Sequence, residues 1–217
     1  MHEIELVNIG KSYEGLAILS GMNLTINTGE MVAITGESGK GKTTLLNIIG
    51  LITSKDEGNL HLFGHQNPKI HSKEAMMLRR KRIGYLFQNY GLVDDETVLW
   101  NLGLALEYKN LNKKAKNELI DRYLNEFALT ALKKKMVYQL SGGEQQRIAI
   151  IRLILQDSDL ILADEPTASL DEQNEKYILE HLKELNRKGK TIVVVTHNTN
   201  ILTLIESFVL KNYKVQI

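Results

Sequence analysis

The sequence predicts an α/β fold: a mostly parallel sheet with helices on both faces, an antiparallel β part at the N-terminal end and an inserted helical subdomain. Three observations predict it. Apolar strand-sized runs alternate with helical patterns in the second half of the 217-residue chain, the mark of parallel βαβ units. A glycine-rich turn, Gly36 to Thr43, joins a buried strand to a helix. From Thr97 to about Leu140 the pattern becomes helical and rich in Leu, Lys, Asn and Glu.

The elements follow in order. Ile4-Glu5-Leu6-Val7 and Leu24-Thr25-Ile26 read as short strands, with a turn at Thr28-Gly29-Glu30. Met31 to Thr35 is a buried strand running into the glycine loop, and Lys42 to Leu51 a helix with an apolar face at Leu45, Leu46, Ile48 and Ile49. Gly58 to Gly64 reads as a strand closed by glycines, Ser72 to Arg82 as a helix, and Ile83 to Phe87 as a strand ending at Gln88. Leu119, Ile120, Tyr123, Leu124 and Phe127 give the helical insert its apolar spacing. After Ser141 come a helix to Leu155, a strand Leu160–Ala163, a helix Asp171–Arg187, a strand Thr191–Thr196, a helix Asn198–Ile205 and a strand Phe208–Leu210. One domain, 1–217, is expected, with the helical subdomain at about 95–155.

Composition narrows the function. A net charge of +1 gives no electrostatic reason to expect nucleic acid. The clusters Arg79-Arg80-Lys81-Arg82 and Lys133-Lys134-Lys135 are local and read as solvated faces. With no cysteines, a disulfide framework and a thiolate metal site are both excluded. His61 and His65 are four apart, but on strand and turn, without the acid a metalloprotease helix places between them. Met1-His2-Glu3-Ile4-Glu5 has neither signal-peptide nor transit-peptide character. No apolar run approaches the ~18 residues that span a bilayer, so any service to a membrane is expected to run through another chain.

Gly36-Glu37-Ser38-Gly39-Lys40-Gly41-Lys42-Thr43 matches the full phosphate-loop pattern in its strand–loop–helix setting. The glycines let backbone N–H groups converge on phosphates, and the helix beginning at Lys42 adds its positive end. Lys42 is expected at the β- and γ-phosphates, Thr43 on Mg²⁺ and Thr44 beside it. Lys40 either adds charge there or points to solvent. Leu160-Ile161-Leu162-Ala163 delivers Asp164 and Glu165 to a strand's C-terminal end, where open α/β sheets bind ligands. Asp164 is the candidate Mg²⁺ carboxylate and Glu165 the group to polarise an attacking water.

Ser141-Gly142-Gly143-Glu144 forms a capping box ahead of Ile148, but a cap does not require two glycines. Paired glycines at a helix start leave N–H groups open to an anion. With Leu140 before and Gln145-Gln146-Arg147 after, this run resembles the signature of ABC-type ATPases, and the resemblance covers nearly the whole chain. It implies a P-loop NTPase sheet, ATP and Mg²⁺ as ligands, and further roles. Tyr13 stands where the family stacks an aromatic on adenine. Gln88 resembles the Q-loop glutamine, which also reaches the metal. Ser169-Leu170-Asp171 resembles the D-loop, and His197, after Ile192 to Thr196, the switch histidine. In the family two such domains pair head to tail, so Ser141, Gly142, Gly143 and Glu144 would serve the phosphate loop of a second copy, in a homodimer or with a paralogue. Integral-membrane permease subunits are the implied partners, which places the chain in the cytoplasm on the inner face of the membrane.

The short chain, the lack of a C-terminal regulatory extension and Ala163-Asp164-Glu165-Pro166-Thr167 resemble the lipoprotein-release and macrolide/peptide-export branch. Phe87 to Val98 is similar to ATPases of bacteriocin or antimicrobial-peptide export. Ala168-Ser169 and the Ile151 and Leu153 that flank Arg152 depart from that branch. Apolar Leu92, Val93, Val98, Leu99 and Trp100 are candidates either for a permease-docking surface or for the subdomain's own core. Two other functions stay open at this point. One is a non-transport ABC protein acting on nucleic acid or ribosomes, although its relatives carry two domains or a long coiled coil. The other is a small-molecule P-loop kinase, which leaves Ser141 to Glu144 and His197 unexplained.

Overall fold

The computed structural model describes residues 2–37, 39–167, 172–197 and 213–214. In chain order the elements are β1 (His2–Tyr13), β2 (Leu16–Asn27), β3 (Met31–Thr35), α1 (Lys42–Ile49), β4 (Glu57–Leu62), β5 (His65–Gln66), α2 (Lys73–Lys81), β6 (Ile83–Leu86), α3 (Val98–Ala105), α4 (Lys113–Glu126), α5 (Gly142–Gln156), β7 (Leu160–Asp164), α6 (Glu172–Arg187), β8 (Thr191–Thr196) and β9 (Tyr213–Lys214). Short 3₁₀ turns at Thr130–Leu132 and Val137–Gln139 lead into α5.

The sheets are two. One is antiparallel, ordered β2-β1-β4-β5; the other is parallel, ordered β6-β7-β8-β3-β9. β1 and β2 run twelve residues each, far beyond the short strands the sequence suggested. Glu14 and Gly15 join them, both at positive φ (50° and 82°), the two-residue turn whose twist matches a hairpin. The register of β1 with β2 shifts between Leu6 and Ile9, around Asn8 at φ 52°. Opposite this irregularity only glycine fits: a Cβ on Gly58 would stand 2.3 Å from the Asn8 carbonyl oxygen.

Every residue of β3, β7 and β8 is buried, as expected of parallel strands covered on both faces. Successive side chains go to opposite cores. Val32, Ile34, Leu160, Leu162, Val193 and Val195 pack with α1, α2 and the antiparallel sheet. Met31, Ile161, Ala163, Ile192 and Val194 pack with α3 to α6. β8 lies between β7 and β3, pairing Asp164 with Val195 on one side and Thr35 with Thr196 on the other. The strand ends bearing the candidate residues are therefore brought level.

The helices start where their caps dictate. Ser72, Thr97 and Asn112 accept hydrogen bonds from Ala75, Trp100 and Ala115 N–H groups. Ile120, Leu124 and Phe127 are buried, as the periodicity predicts. Val98 is fully buried, and Leu92 and Leu99 pack half-buried against the core. Val93 and Trp100 stay exposed, so the apolar set after Gln88 divides between core and surface. Among the described residues no helix is long and apolar enough to cross a membrane. The helix expected at Asn198–Ile205 and the strand expected at Phe208–Leu210 lie outside the described residues.

Candidate functional site

β3 delivers the chain to a loop in which Gly39 and Gly41 take φ 78° and 77°. Gly41 is also the N-cap of α1, and a Cβ there would lie 2.9 Å from the Ile18 carbonyl oxygen. The site thus demands a backbone without side chain. α1 opens with no side-chain cap and no acid in its first turn, so its N–H groups and positive end are uncompensated. Lys42 is buried, and its ammonium folds over the loop to donate to the Gly36 carbonyl at 2.8 Å and the Glu37 carbonyl at 2.7 Å.

Behind the lysine, the Thr43 hydroxyl donates to Asp164 Oδ1 at 3.1 Å. Burial pushes the Asp164 carboxyl above its ordinary pKa and neighbouring Glu165 adds to this, while the Thr43 hydrogen bond and Lys42 oppose it. Thr43 and Asp164 are hard oxygen donors at the floor of the cradle, a set that fits Mg²⁺. A folded-state pKa above the unfolded value means that the ionised acid opposes folding once pH exceeds the unfolded value. Asp164→Asn should therefore raise the metal-free Tm above pH 5 by a few degrees, roughly 2–4 °C per kcal/mol in a chain of this size, and lose turnover. A lower Tm in calorimetry would show that the carboxylate is instead stabilising.

Glu165 sits at φ 46° and donates its N–H to the Val195 carbonyl at 2.9 Å. Its carboxylate is held at both oxygens. Oε2 accepts from the Thr196 hydroxyl at 3.0 Å, and Oε1 accepts from the His197 N–H at 3.0 Å and lies 2.8 Å from His197 Nδ1. Against an ionised Glu165, Nδ1 must carry the proton. These groups open on a cleft of about 320 Å³ lined by Tyr13, Ile18, Gly39, Gly41, Lys42, Thr43, Thr44, Gln88, Glu165 and His197. Tyr13, half-exposed at its edge, has the Lys11 ammonium 5.1 Å from its ring centre. Lys40 is half-exposed and does not line the cleft. Ser38 and Asp171 lie outside the described residues.

The structure does not bring Ser141, Gly142, Gly143 and Glu144 into this cleft. They start α5 as the expected capping box: Glu144 Oε2 accepts from the Ser141 N–H and hydroxyl, both at 2.8 Å. The Ser141 hydrogen bonds hold the Glu144 carboxyl below its usual range. A Cβ on Gly142 would meet the Tyr90 hydroxyl at 3.3 Å, and one on Gly143 the Asn174 amide at 3.5 Å. Away from the cleft, His65 contacts Glu74 at 2.7 Å.

Sequence reasoning missed three groups around the site. Thr196 read only as a strand residue, yet it holds Glu165. Gln146 is buried and donates to the Pro166 carbonyl just after Glu165. Arg152 reaches the turn after Gln88. The available signal was a polar residue on the buried face of an otherwise apolar helix or strand.

Residues 19–168, well over half the chain, match the family model described as ABC transporter. The chain belongs to the ABC transporter family. Among curated proteins, this cassette is 36% identical over 206 residues to the macrolide export ATP-binding/permease protein MacB of Psychrobacter cryohalolentis, covering 92% of the chain and 31% of the relative. It is 39% identical over 198 residues to MacB of Campylobacter jejuni, covering 91% and 31%. The resemblance to the macrolide-export branch rests on such relatives, and the chain spans about a third of their length. Among solved structures, MJ0796, a bacterial ABC transporter cassette in dimeric form, matches at TM-score 0.84 and 37% identity over 91% of this chain and 89% of that one. The same cassette in a dimeric post-hydrolysis state bound to ADP and Pi also gives a TM-score of 0.84, at 35% identity over the same shares. CbiO1 of Clostridium perfringens, part of the transporter complex cbiONQ, matches at 0.79 and 27% identity, over 94% of this chain and 81% of that one. The two departures from the branch within α5, Ile151 and Leu153, are core residues. Leu153 fills the space left by Gly84, where a Cβ would stand 2.9 Å from its methyl group.

Proposed function

We propose that this ABC cassette binds and hydrolyses ATP as one of a pair and powers export or extraction of a peptide, lipoprotein or antimicrobial compound through separate membrane subunits. The observation that carries the reading is the cleft lined together by the caged Lys42, by Thr43 and by Glu165 with His197, where Asp164 bonds Thr43 and Thr196 bonds Glu165 at the ends of β7 and β8. Lys42 exchanges the Gly36 and Glu37 carbonyls for phosphate oxygens, and the loop N–H groups take the remainder. Tyr13 stacks on the base. Thr43 and Asp164, with Gln88, would hold Mg²⁺, which would supply neutralisation of phosphate charge. Glu165 accepts the proton of the attacking water, while Thr196 and His197 fix its orientation.

Ser141 to Glu144 stand outside their own chain's cleft, which supports their service to a second copy. The dimeric state of MJ0796 supports the same pairing. The helical subdomain at about 95–155 is the part that would carry the signature toward that copy. Exposed Val93, Trp100 and Leu104 offer an apolar surface for a permease subunit, which would hold the chain at the inner face of a membrane. Ser141→Arg tests the pairing. Nucleotide affinity of the single chain should stay within about twofold, while Mg-ATP turnover falls at least about tenfold. A parallel loss of affinity would show that Ser141 acts within its own chain.

A further inference from the structure

Between the cleft and the signature lies a turn that none of the roles above explains. After Gln88 the chain takes two successive left-handed residues, Tyr90 at φ 63° and Gly91 at φ 60°. The first is strained for a residue with a Cβ. Gly91 cannot be replaced, since a Cβ there would lie 2.4 Å from the Phe87 ring. The turn closes on itself through Tyr90 N–H to the Phe87 carbonyl at 2.9 Å and Gly91 N–H to the Asn89 carbonyl at 2.7 Å.

Both of its outward carbonyls are taken by one side chain. Arg152 of α5 donates Nη2 to the Tyr90 carbonyl at 2.9 Å and Nη1 to the Gly91 carbonyl. Among the described residues no carboxylate pairs with this guanidinium, and burial brings its pKa down to about 10. A half-buried arginine whose fork is filled by two carbonyls fixes their geometry more tightly than a surface contact. The opposite end of the same residue faces the same helix: a Cβ added to Gly142, at the first turn of α5, would lie 3.3 Å from the Tyr90 hydroxyl. Toward the phosphate loop, Phe87 stacks on Tyr85 at 4.0 Å, and the Tyr85 hydroxyl donates to Asn47 of α1 at 2.8 Å.

We infer that Arg152 is a positioning residue that binds the turn Tyr90-Gly91 to α5, so that Gln88 at the chain's own cleft and Gly142 of its signature move as one body. The signature start then registers what Gln88 touches, without a contact of its own to that cleft. The inference rests on the ATPase reading, because its readout is turnover.

The test is a double-mutant cycle in the intact chain. Arg152→Lys keeps the charge but loses the planar fork whose two nitrogens each reach one carbonyl, so the turn is held less tightly. The variant should lower kcat about fivefold or more with KM for ATP within about twofold, and it should add no further loss in a Gln88→Ala background. Losses that multiply, or a loss confined to KM, would overturn the inference. A second arm decides the matter even if Arg152→Lys fails to fold. Gly142→Ala pushes a methyl group against the Tyr90 hydroxyl and should reduce kcat, and Tyr90→Phe in the same chain should restore most of it. No loss in Gly142→Ala, or a loss that Tyr90→Phe leaves unchanged, would equally overturn it. Absence of turnover in the wild-type chain would instead sink the ATPase reading.

Discussion

Glu165→Gln should bind ATP as the wild type does, stop turning it over and accumulate as a closed pair. The substitution keeps the shape of the side chain. A glutamine carbonyl oxygen still accepts from the His197 N–H and from Nδ1, and its amide can donate to the Thr196 hydroxyl, so the network at the ends of β7 and β8 survives. What is removed is the capacity to accept a proton, and a positioned base is worth ~10²–10⁴ in rate. Two measurements check this: the rate of phosphate release, and the mass of the protein in solution with and without Mg-ATP. A shift from monomer to dimer on adding nucleotide supports the trans-acting signature together with the motor reading. Wild-type turnover in the variant would remove Glu165 from the role of base. A monomer under both conditions would move the driving force for pairing to the membrane subunits.

Lys42→Ala is the second large effect, and it acts one step earlier. The ammonium is the main positive charge within the cradle, and it is already desolvated and held by two backbone carbonyls. A hydrogen bond to a charged group contributes about 1.5–3 kcal/mol, so affinity for Mg-ATP should fall roughly 10- to 100-fold. Turnover at fixed nucleotide should fall further, because the same charge faces the phosphoryl oxygens during transfer. Equilibrium titration with a fluorescent nucleotide separates the two quantities. Unchanged affinity would show that the loop N–H groups and the α1 terminus bind phosphate unaided.

Much of this was legible in the sequence because the strands are strong signals. Apolar runs such as Leu160 to Ala163 and Ile192 to Val195 have no other place than the middle of a covered sheet. The phosphate loop and capping box are short-range patterns, and the backbone obeys them. Elements set by long-range pairing were less legible. β1 and β2 extend to twelve residues because they pair with each other, and in β2 only Leu19, Leu24 and Ile26 are buried, too sparse a pattern to announce a strand of that length. The two-residue β5 exists only through its pairing with β4. Arg152 and Gln146 escaped for a related reason: their partners are backbone carbonyls 62 and 20 residues distant, and a carbonyl leaves no trace in side-chain spacing.

The pairing of β7 with β8 bears on how such a chain can change over evolutionary time. Because Asp164 stands opposite Val195, the groups that follow on each strand, Glu165 on one and Thr196 and His197 on the other, meet only when the two strands keep count. Swapping one apolar residue for another within these strands alters packing by small amounts. Deleting or inserting a single residue turns every later side chain to the other face and parts the acid from its donors. A library of variants should therefore accept many exchanges among Ile161, Leu162, Val193 and Val194 and almost no change of length, so homologous sequences can drift far in spelling here while the spacing stays frozen.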